Sequence, residues 1–367
     1  MSVTMLMLPR GSVVRKREIP IIVVVALSWT FADFLLFKLR MTYDAVAAKY
    51  IDPASDTINA ILVRELNVLL VSLVIGFVLV SVLRKFQPSF SLWINLLAKT
   101  LILVIAALVM NFFISISYEM IIRDRDFNQS IQHFFENTFR RDWIMPKMGE
   151  WIILFLLTQL ALEVNEKYSR GVFLKIMAGR YHQPKEEERI VLFIDLRNST
   201  PIAEKLGNKE YFKFIRDFIF CISAGIMEHG GHIYQYVGDE IVAWWPSSKA
   251  NAKRAVQSLI ESRKVLNKNN EVFKRYYETL PEYKAGMHSG IVTVGQVGIA
   301  KKELVMSGDT INTAARIRSA CTELNQKFLI SKDMAELLSL PEWQRENMGM
   351  IDLKGKYDTL ELFALKI

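Results

Sequence analysis

Long apolar runs are concentrated in the first 165 residues of this 367-residue chain. A helix that crosses the hydrocarbon core of a bilayer needs roughly 20 mostly apolar residues. The segments that meet or nearly meet this length are 19–38, 66–83, 96–117 and 148–164. The remainder of the chain alternates charged and apolar residues, as soluble domains do. The pattern therefore predicts an α-helical transmembrane bundle of about four helices, followed by a soluble domain.

The change in pattern also predicts the domain boundaries. Residues 1–164 are expected to form the transmembrane domain and residues 189–367 the soluble domain. Between them, residues 165–188 have the pattern of an amphipathic helix followed by a charged linker. A signal from the membrane domain has to pass through this linker, whose residues do not distinguish a transducer from a tether.

The chain carries 46 Lys and Arg against 38 Asp and Glu, and several of the basic residues flank the apolar segments. Because no basic stripe is interleaved with aromatic residues, the positive charge favours a membrane partner and not nucleic acid. An even number of spans places both termini on one side. The basic groups at 15–17 and 84–85 favour the cytoplasmic side, although the connection 118–147 is basic too. We expect a multi-pass protein of the inner (plasma) membrane with a cytoplasmic soluble domain.

The soluble domain has the element order of an α+β fold. An apolar run at 189–194 predicts a buried strand, and two helices separated by Gly207 follow it. Strands 232–237 and 241–245, joined at Gly238, predict a hairpin. The later predicted elements are a helix at 248–275, strands at 283–289, 291–297 and 302–306, a helix at 309–321 and strands near 348–353 and 359–365. This order is typical of a ferredoxin-like fold with one mixed sheet.

The cysteines are expected to be structural, and the histidines do not indicate a cofactor site. Cys221 and Cys321 are the two cysteines, and both lie in predicted helices of the soluble domain. A chain with only two cysteines fits a reducing compartment, where disulfides are rare. We therefore expect both thiols to be buried structural residues and not redox groups. The five histidines show no metal-ligand spacing, and no sensor cofactor is predicted.

Two carboxylates follow apolar strands in the soluble domain. Asp195 ends the first strand, and Asp239 sits at the tip of the hairpin. If these strands are neighbours, both side chains lie at the same edge of the sheet. Two such carboxylates can hold a pair of Mg²⁺ or Mn²⁺ ions, which bridge phosphate oxygens and activate a hydroxyl. An Asp in a Gly-Asp turn is usually only turn chemistry, so the interpretation depends on what surrounds the pair.

Two further segments support a phosphate site. The loop 196–200 runs from the first strand into a helix N-terminus, capped by Asn198 or Ser199, where backbone amides form an anion site. In the string 308–316 (Gly-Asp-Thr-Ile-Asn-Thr-Ala-Ala-Arg), Asn312 and Arg316 are four residues apart and share one helix face. An Arg in this place can stabilise charge on a pentavalent α-phosphate, and an Asn can orient a ribose.

Together these strings resemble the catalytic domain of class III adenylate/guanylate cyclases, over residues 187–366. The strings that carry the resemblance are 193–200 (Phe-Ile-Asp-Leu-Arg-Asn-Ser-Thr), 236–240 (Tyr-Val-Gly-Asp-Glu), 286–290 (Gly-Met-His-Ser-Gly), 308–316 and 353–355 (Leu-Lys-Gly). The chain is identified as a membrane-anchored, bacterial-type member. The hairpin reads Val-Gly-Asp-Glu-Ile and lacks the doubled Gly of diguanylate cyclases, which disfavours that related family.

The resemblance implies the chemistry and the residues that perform it. It implies conversion of a nucleoside triphosphate to a cyclic nucleotide and pyrophosphate in intracellular signalling, with two divalent cations, Mg²⁺ or Mn²⁺, as cofactors. The metal ligands implied are Asp195 and Asp239, the catalytic residues are Asn312 and Arg316, and the substrate-binding residues are Asn198, Ser199, Thr200, Gln235, Lys284, Val305 and Lys354. Lys284 and Lys354 match positions that contact the β- and γ-phosphates, with Lys284 replacing the more usual Arg. The resemblance also implies a head-to-tail homodimer whose two protomers share each site.

Base choice is left open by two departures from the family pattern. Gln235 stands where adenylyl cyclases usually have Lys and guanylyl cyclases Glu, and Val305 stands where adenylyl cyclases have Asp or Thr. Gln both donates and accepts hydrogen bonds, whereas Val cannot hydrogen-bond a base. ATP is favoured as the commonest substrate among relatives, and GTP or a pyrimidine triphosphate stays open. The alternative is a protein that is not an enzyme, namely a membrane receptor that binds nucleotide without turning it over.

Overall fold

The computed structural model describes most of the chain: residues 13–43, 58–83, 92–138, 141–167, 181, 183–299, 303–339, 344–352 and 359–367. The chain divides into two compact units between Val164 and Asn165. Each unit is described by itself below.

The first unit is helical. Its helices are α1 (Val13–Tyr43), α2 (Ile58–Phe77), α3 (Leu92–Ile122), the short α4 (Phe127–His133) and α5 (Arg141–Lys167), and π-helical turns extend α2 over Val78–Leu83 and α4 over Phe134–Thr138. Among the described residues, three stretches are long and apolar enough to cross a bilayer: Glu18–Leu39, Ile58–Ser81 and Lys99–Ile122. The apolar part of α5, Met148–Leu162, is shorter. The predicted apolar bundle of about four helices is confirmed, whereas α4 is not predicted, because its seven residues are too few to establish a helical period.

Aromatic and polar side chains hold the helices of this unit together. Trp29 on α1 is buried, lies 4.7 Å from the ring of Phe155 on α5, and donates a 2.8 Å hydrogen bond to Thr158 Oγ1. Asp33 on α1 accepts a 2.5 Å bond from Arg64 Nη2 on α2. Both groups are largely buried, so each charge depends on the other for its partner.

The second unit is built on one mixed sheet. Its strands are β1 (Lys185–Leu196), β2 (His232–Val237), β3 (Glu240–Pro246), β4 (Tyr283–Val297), β5 (Glu303–Ser307), β6 (Phe328–Ser331), β7 (Arg345–Ile351) and β8 (Leu360–Leu365), and its helices are α6 (Ser199–Glu228), α7 (Lys249–Lys268), α8 (Asn270–Tyr277), α9 (Asp309–Glu323) and α10 (Lys332–Leu338). The strand order is β2-β3-β1-β4-β6-β8-β7, with β5 paired to β4. All pairs are antiparallel except β4 with β6. The first four strands and the two crossovers between them have ferredoxin-like topology, so the predicted α+β class is confirmed.

Both faces of the central strand are buried, which explains its continuous apolar run. Ile190, Leu192 and Ile194 pack in the core beneath α6 and α7. Val191 and Phe193 point to the opposite face, where Ala314 of α9 packs over the same cluster. The sheet therefore has helices on both faces, and α9 lies against β4, β1 and β6.

Several elements differ in extent from the sequence prediction. β1 begins at Lys185, so the charged run predicted to end the 165–188 linker is the first part of a strand paired with β4. The strands predicted at 283–289 and 291–297 are one strand, and β6 and α10 are not predicted. The predicted break at Gly207 is confirmed, because this glycine is non-helical at φ 69° within α6. Cys221 and Cys321 are free and buried, as expected.

Candidate active site

Asp195 and Asp239 lie together at one edge of the sheet. β1 and β3 are antiparallel neighbours with Ile194 opposite Ile241, so the end of β1 lies beside the hairpin tip that precedes β3. Asp195 and Ser199 are both within hydrogen-bond reach of the Asp239 carboxyl group. Burial, and next the charge of Asp195, raise the pKa of Asp239 above its ordinary value. The sequence hypothesis that both strands bring their carboxylates to one edge is consistent with this arrangement.

A divalent cation fits these two carboxylates. Oδ2 of Asp239 is buried and has no hydrogen-bond partner among the described residues. An unpartnered carboxylate oxygen beside a second carboxylate is a donor set suited to Mg²⁺ or Mn²⁺, which complete their shells with water and phosphate oxygens. No group of three or more His, Cys, Asp or Glu side chains that could hold a metal occurs in the described part of the chain. The protein alone therefore offers a partial coordination shell, which a triphosphate would have to complete.

Two cations and a third carboxylate surround Asp195. Lys284 stands opposite Asp195 in the β1–β4 register, and its Nζ lies 3.2 Å from Asp195 Oδ2. Arg318 on α9 places Nη1 3.1 Å from the same oxygen, and its Nη2 forms an ion pair with Glu240. Sequence analysis identified Lys284 but missed Arg318 and Glu240. Glu240 ends the recognised string 236–240, and Arg318 lies two residues after the string 308–316, yet no sequence pattern indicates that these two residues pair.

Gly286 sets the distance between α9 and the sheet. A Cβ at this position would lie 2.2 Å from the backbone nitrogen of Arg318 and 2.8 Å from the carbonyl carbon of Ile317. Only glycine therefore allows α9 to pack so closely on β4. This contact places the start of the Arg318 side chain directly over the strand that carries Lys284.

Asn312 and Arg316 lie on a different side of α9 from Arg318. Successive helical residues are turned by about 100°, so Arg316 and Arg318 point in roughly opposite directions. Asn312 is exposed and Arg316 is half-buried. Neither forms an ion pair with any residue that the structure describes. Among the described residues, Arg318 and not Arg316 contacts Asp195.

The loop after β1 leads into α6 through Asn198, Ser199 and Thr200. Asn198 occupies the N-cap position of α6 in the left-handed region, at φ 55°, and makes no side-chain capping bond. The sequence predicts Asn198 or Ser199 as the cap, so the predicted position is right, whereas the capping hydrogen bond by the Asn198 side chain is not formed. Ser199 approaches both Asp239 and Tyr211, which sequence analysis does not identify as a site residue. Thr200 is exposed.

The two residues predicted to face the base lie on β2 and β5. Gln235 is exposed on β2, and Val305 is half-buried on β5 opposite Gly295 of β4. The predicted phosphate contact Lys354 lies outside the described residues. The structure contains no contact between Gln235 and Val305 that would define a base pocket within the described part of one protomer.

The ferredoxin-like sheet, the carboxylate pair at its edge and the separate Asn/Arg face on α9 define a nucleotidyl cyclase type of domain. A family described as the adenylate and guanylate cyclase catalytic domain matches residues 181–366. The chain therefore belongs to the adenylate/guanylate cyclase family.

Comparisons with individual proteins agree with this assignment. Adenylate cyclase 2 of Rhizobium meliloti (strain 1021) is 30% identical over 233 residues, which cover 62% of this chain and 64% of that protein. An adenylate cyclase of Anabaena cylindrica is 30% identical over 187 residues, which cover 48% of this chain and 36% of that protein. The chain thus spans less than two thirds of the length of either relative. The solved structure of a bacterial light-regulated adenylyl cyclase shares the fold, with a TM-score of 0.52, 20% identity and coverage of 61% of this chain and 65% of that one.

Proposed function

We propose that this chain is a membrane-anchored adenylate cyclase, which converts ATP to 3′,5′-cyclic AMP and pyrophosphate in a homodimer with two divalent cations. The observation that carries the proposal is the buried, unpartnered Oδ2 of Asp239 beside the carboxylate of Asp195. A buried acceptor without a partner is costly in a folded protein, and a bound cation removes that cost.

The residues of this chain supply binding, orientation and charge. Asp195 and Asp239 would hold the divalent cations, which polarise the α-phosphate and favour ionisation of the ribose 3′-hydroxyl when bound. Ser199 orients Asp239 through its hydroxyl group. Lys284 offers a cation for the distal phosphates, beside the metal ligands. Asn198 and Thr200 are exposed at the start of α6, where backbone amides favour a phosphate. Lys354 is assigned a phosphate contact by resemblance alone.

The direction of the side chains on α9 supports a shared-site homodimer. Arg316 faces away from the carboxylates of its own protomer, and it forms no ion pair with the described residues. An Arg that stabilises the transition state at Asp195 and Asp239 would therefore come from the partner protomer, together with its Asn312. In return, the partner's carboxylates would receive Arg316 and Asn312 of this chain.

The helical unit supports placement in a membrane. Three described helices are long and apolar enough to span it, and the apolar part of α5 would form a shorter fourth span. We assign residues 1–164 to the membrane domain, 165–188 to the connection and 189–367 to the catalytic domain, with β1 extending a few residues into the connection. A multi-pass protein of the inner membrane with a cytoplasmic catalytic domain would have access to cellular ATP. The basic residues at 84–85 that support this orientation lie outside the described residues.

A product assay across all four triphosphates tests the activity and the base together. Full-length protein with Mn²⁺ is expected to form cyclic AMP and pyrophosphate from ATP and less product from GTP, CTP or UTP. Asp239→Ala should abolish the product, whereas Lys264→Ala, on the exposed surface of α7, should retain it. A preference for another base would refute the assignment of ATP. No cyclic product from any triphosphate would favour the nucleotide-binding receptor instead.

Mixing two inactive variants tests the shared site. Asp195→Ala lacks a metal ligand and Arg316→Ala lacks the transition-state cation, so each homodimer should be inactive. A mixed dimer has one site with both defects and one intact site, and the equal mixture should regain about a quarter of wild-type activity if protomers pair at random. A silent mixture in which mixed dimers are demonstrated would refute the shared-site proposal.

A further inference from the structure

Arg318 forms ion pairs with two carboxylates at the candidate metal site. Its guanidinium spans Asp195 and Glu240, so a fixed positive charge lies 3.1 Å from an oxygen that the metal ions need. Lys284 Nζ contacts the same oxygen at 3.2 Å. A fixed cation in contact with a carboxylate oxygen repels a divalent cation that approaches the same oxygen.

Arg318 is also held in this place by the fold. Its backbone lies against Gly286 so closely that a Cβ there would clash with it, and its side chain is 22% exposed. Nε of Arg318 is buried and has no partner among the described residues. The guanidinium therefore has a donor that neither carboxylate satisfies.

Phosphate oxygens are suitable partners for such a group. Arg binds phosphate through paired donors, and a triphosphate held by Asp195 and Asp239 through metal ions would bring several oxygens close to Arg318 and Lys284. Lys284 donates a second bond of 2.9 Å to Thr322 Oγ1, which keeps the ammonium on this edge of the sheet.

We propose that Arg318 is a positioning residue that couples metal binding to triphosphate binding. Without triphosphate, its guanidinium neutralises Asp195 and Glu240 and weakens the binding of divalent cations. When triphosphate arrives, Arg318 interacts with the phosphate oxygens and releases Asp195 to the metal ions. This inference rests on the proposed function, because it takes Asp195 and Asp239 as metal ligands.

The test measures two ligands separately on full-length protein without turnover. Mn²⁺ binding is followed by electron paramagnetic resonance, and binding of inorganic pyrophosphate without metal by calorimetry. Arg318→Gln is expected to bind Mn²⁺ about tenfold more tightly, because a neighbouring cation is lost. It should bind pyrophosphate about tenfold more weakly for the same reason. Opposite changes for the two ligands are not expected from a variant that is merely destabilised.

Matched variants make the result specific. Arg318→Lys keeps the charge and should stay close to wild type for Mn²⁺, whereas the loss of the paired donors should place its pyrophosphate affinity between those of wild type and Arg318→Gln. Arg254→Gln removes the same charge from the exposed surface of α7 and should change neither affinity. If Arg318→Gln does not fold, Glu240→Gln replaces it: with Glu240 neutral, Arg318 pairs with Asp195 alone, so Mn²⁺ should bind more weakly.

The outcomes separate this inference from the proposed function. Suppose that wild type binds Mn²⁺ and makes cyclic nucleotide, but Arg318→Gln binds Mn²⁺ equally well or more weakly. That result would overturn the proposed role of Arg318 and leave the proposed function standing. If wild type binds Mn²⁺ no more tightly than Asp239→Ala does, and forms no cyclic product, both proposals are overturned.

Discussion

Replacing Gly286 with alanine is the sharpest test of how the fold builds the site. The new Cβ would lie within 3 Å of three backbone atoms of α9, at 2.2, 2.7 and 2.8 Å. Backbone atoms cannot move aside by a change of rotamer, so the whole helix has to retreat from β4 by about 1 Å to restore ordinary contact.

The magnitude follows from two opposing terms. Overpacking in a well-packed core typically costs about 1–3 kcal/mol, and a clash with three backbone atoms lies at the upper end of that range. Alanine in a strand regains about 0.5–1 kcal/mol relative to glycine, because it restricts the unfolded chain. We therefore expect Gly286→Ala to lower the free energy of unfolding of the catalytic unit by about 2 kcal/mol.

The two cysteines give an assay that reports on this unit alone. Cys221 and Cys321 are the only thiols of the chain, and both are buried. Burial raises the pKa of each thiol to about 12, so neither reacts readily at pH 8 until the structure opens. Cys321 Sγ lies 3.3 Å from the carbonyl oxygen of Ala285, next to the substituted glycine. In a Cys221→Ser background, the rate of Cys321 labelling measures the opening of α9.

The expected increase in labelling rate is roughly 30-fold, since each 1.4 kcal/mol corresponds to about a factor of ten. Gly295→Ala is the matched control on the same strand, where the new Cβ would have its nearest contact at 3.3 Å from Pro184. We expect that control to change the rate less than about fivefold, which is under 1 kcal/mol. Equal labelling of Gly286→Ala and wild type would refute the argument that this glycine sets the position of α9.

Three further predictions concern single contacts. Asp239→Asn should raise the free energy of urea unfolding of the metal-free protein at pH 8. Burial raises the pKa of Asp239, so this carboxyl group stabilises the fold while it is protonated and ceases to do so as the pH rises through that pKa. In acid the wild-type carboxyl group is uncharged like Asn, so the difference between the variant and wild type should vanish. Tyr277→Phe removes a 2.7 Å bond to buried Asp217 and should cost about 1–3 kcal/mol in the same assay. Arg64→Ala leaves Asp33 buried without its partner, so thermal stability in detergent should fall by about 3 kcal/mol and recover in part when Asp33→Asn is added.

Much of the catalytic fold is predictable from local pattern. The apolar run of β1, the Gly-Asp turn of the hairpin and the glycine break in α6 each have a local physical cause, so sequence alone identifies them. The position of Asp239 beside Asp195 is predictable too, since it requires only that two apolar strands be neighbours. The candidate metal ligands therefore follow from the strand pattern and the turn residues.

The remaining features depend on contacts between distant segments. Arg318 and Glu240 are 78 positions apart and pair only because α9 crosses the sheet at Gly286. The strand β6 has four residues, too few for a periodic signal, and it exists because β4 and β8 offer it partners on both sides. The charged start of β1 has the composition of a linker, and its pairing with β4 overrides that local preference.

The geometry of α9 links the two proposed sites of a homodimer. On one side the helix presents Arg318 to Asp195 of its own protomer, and in the proposed homodimer its other side would present Asn312 and Arg316 to a substrate held by the partner. A helix of fifteen residues is stiff, so a shift of α9 that loosens one contact moves the other. Since the contact with Gly286 fixes the helix for both purposes, Gly286→Ala should disturb metal binding in its own protomer and catalysis in the partner's site.

Mixed dimers separate these two effects of Gly286→Ala. Paired with Asp195→Ala protein, the Gly286→Ala chain supplies the carboxylates of the one site that can work, so the activity reports the effect on its own metal site. Paired with Arg316→Ala protein, it supplies the Asn and Arg of the one site that can work, so the activity reports the effect on the partner. Because a stiff helix transmits the same shift to both of its sides, both mixtures should be less active than the mixture of Asp195→Ala with Arg316→Ala, once the activity of the Gly286→Ala homodimers, measured alone, is subtracted. A loss in one mixture only would show that the two sides of α9 move independently.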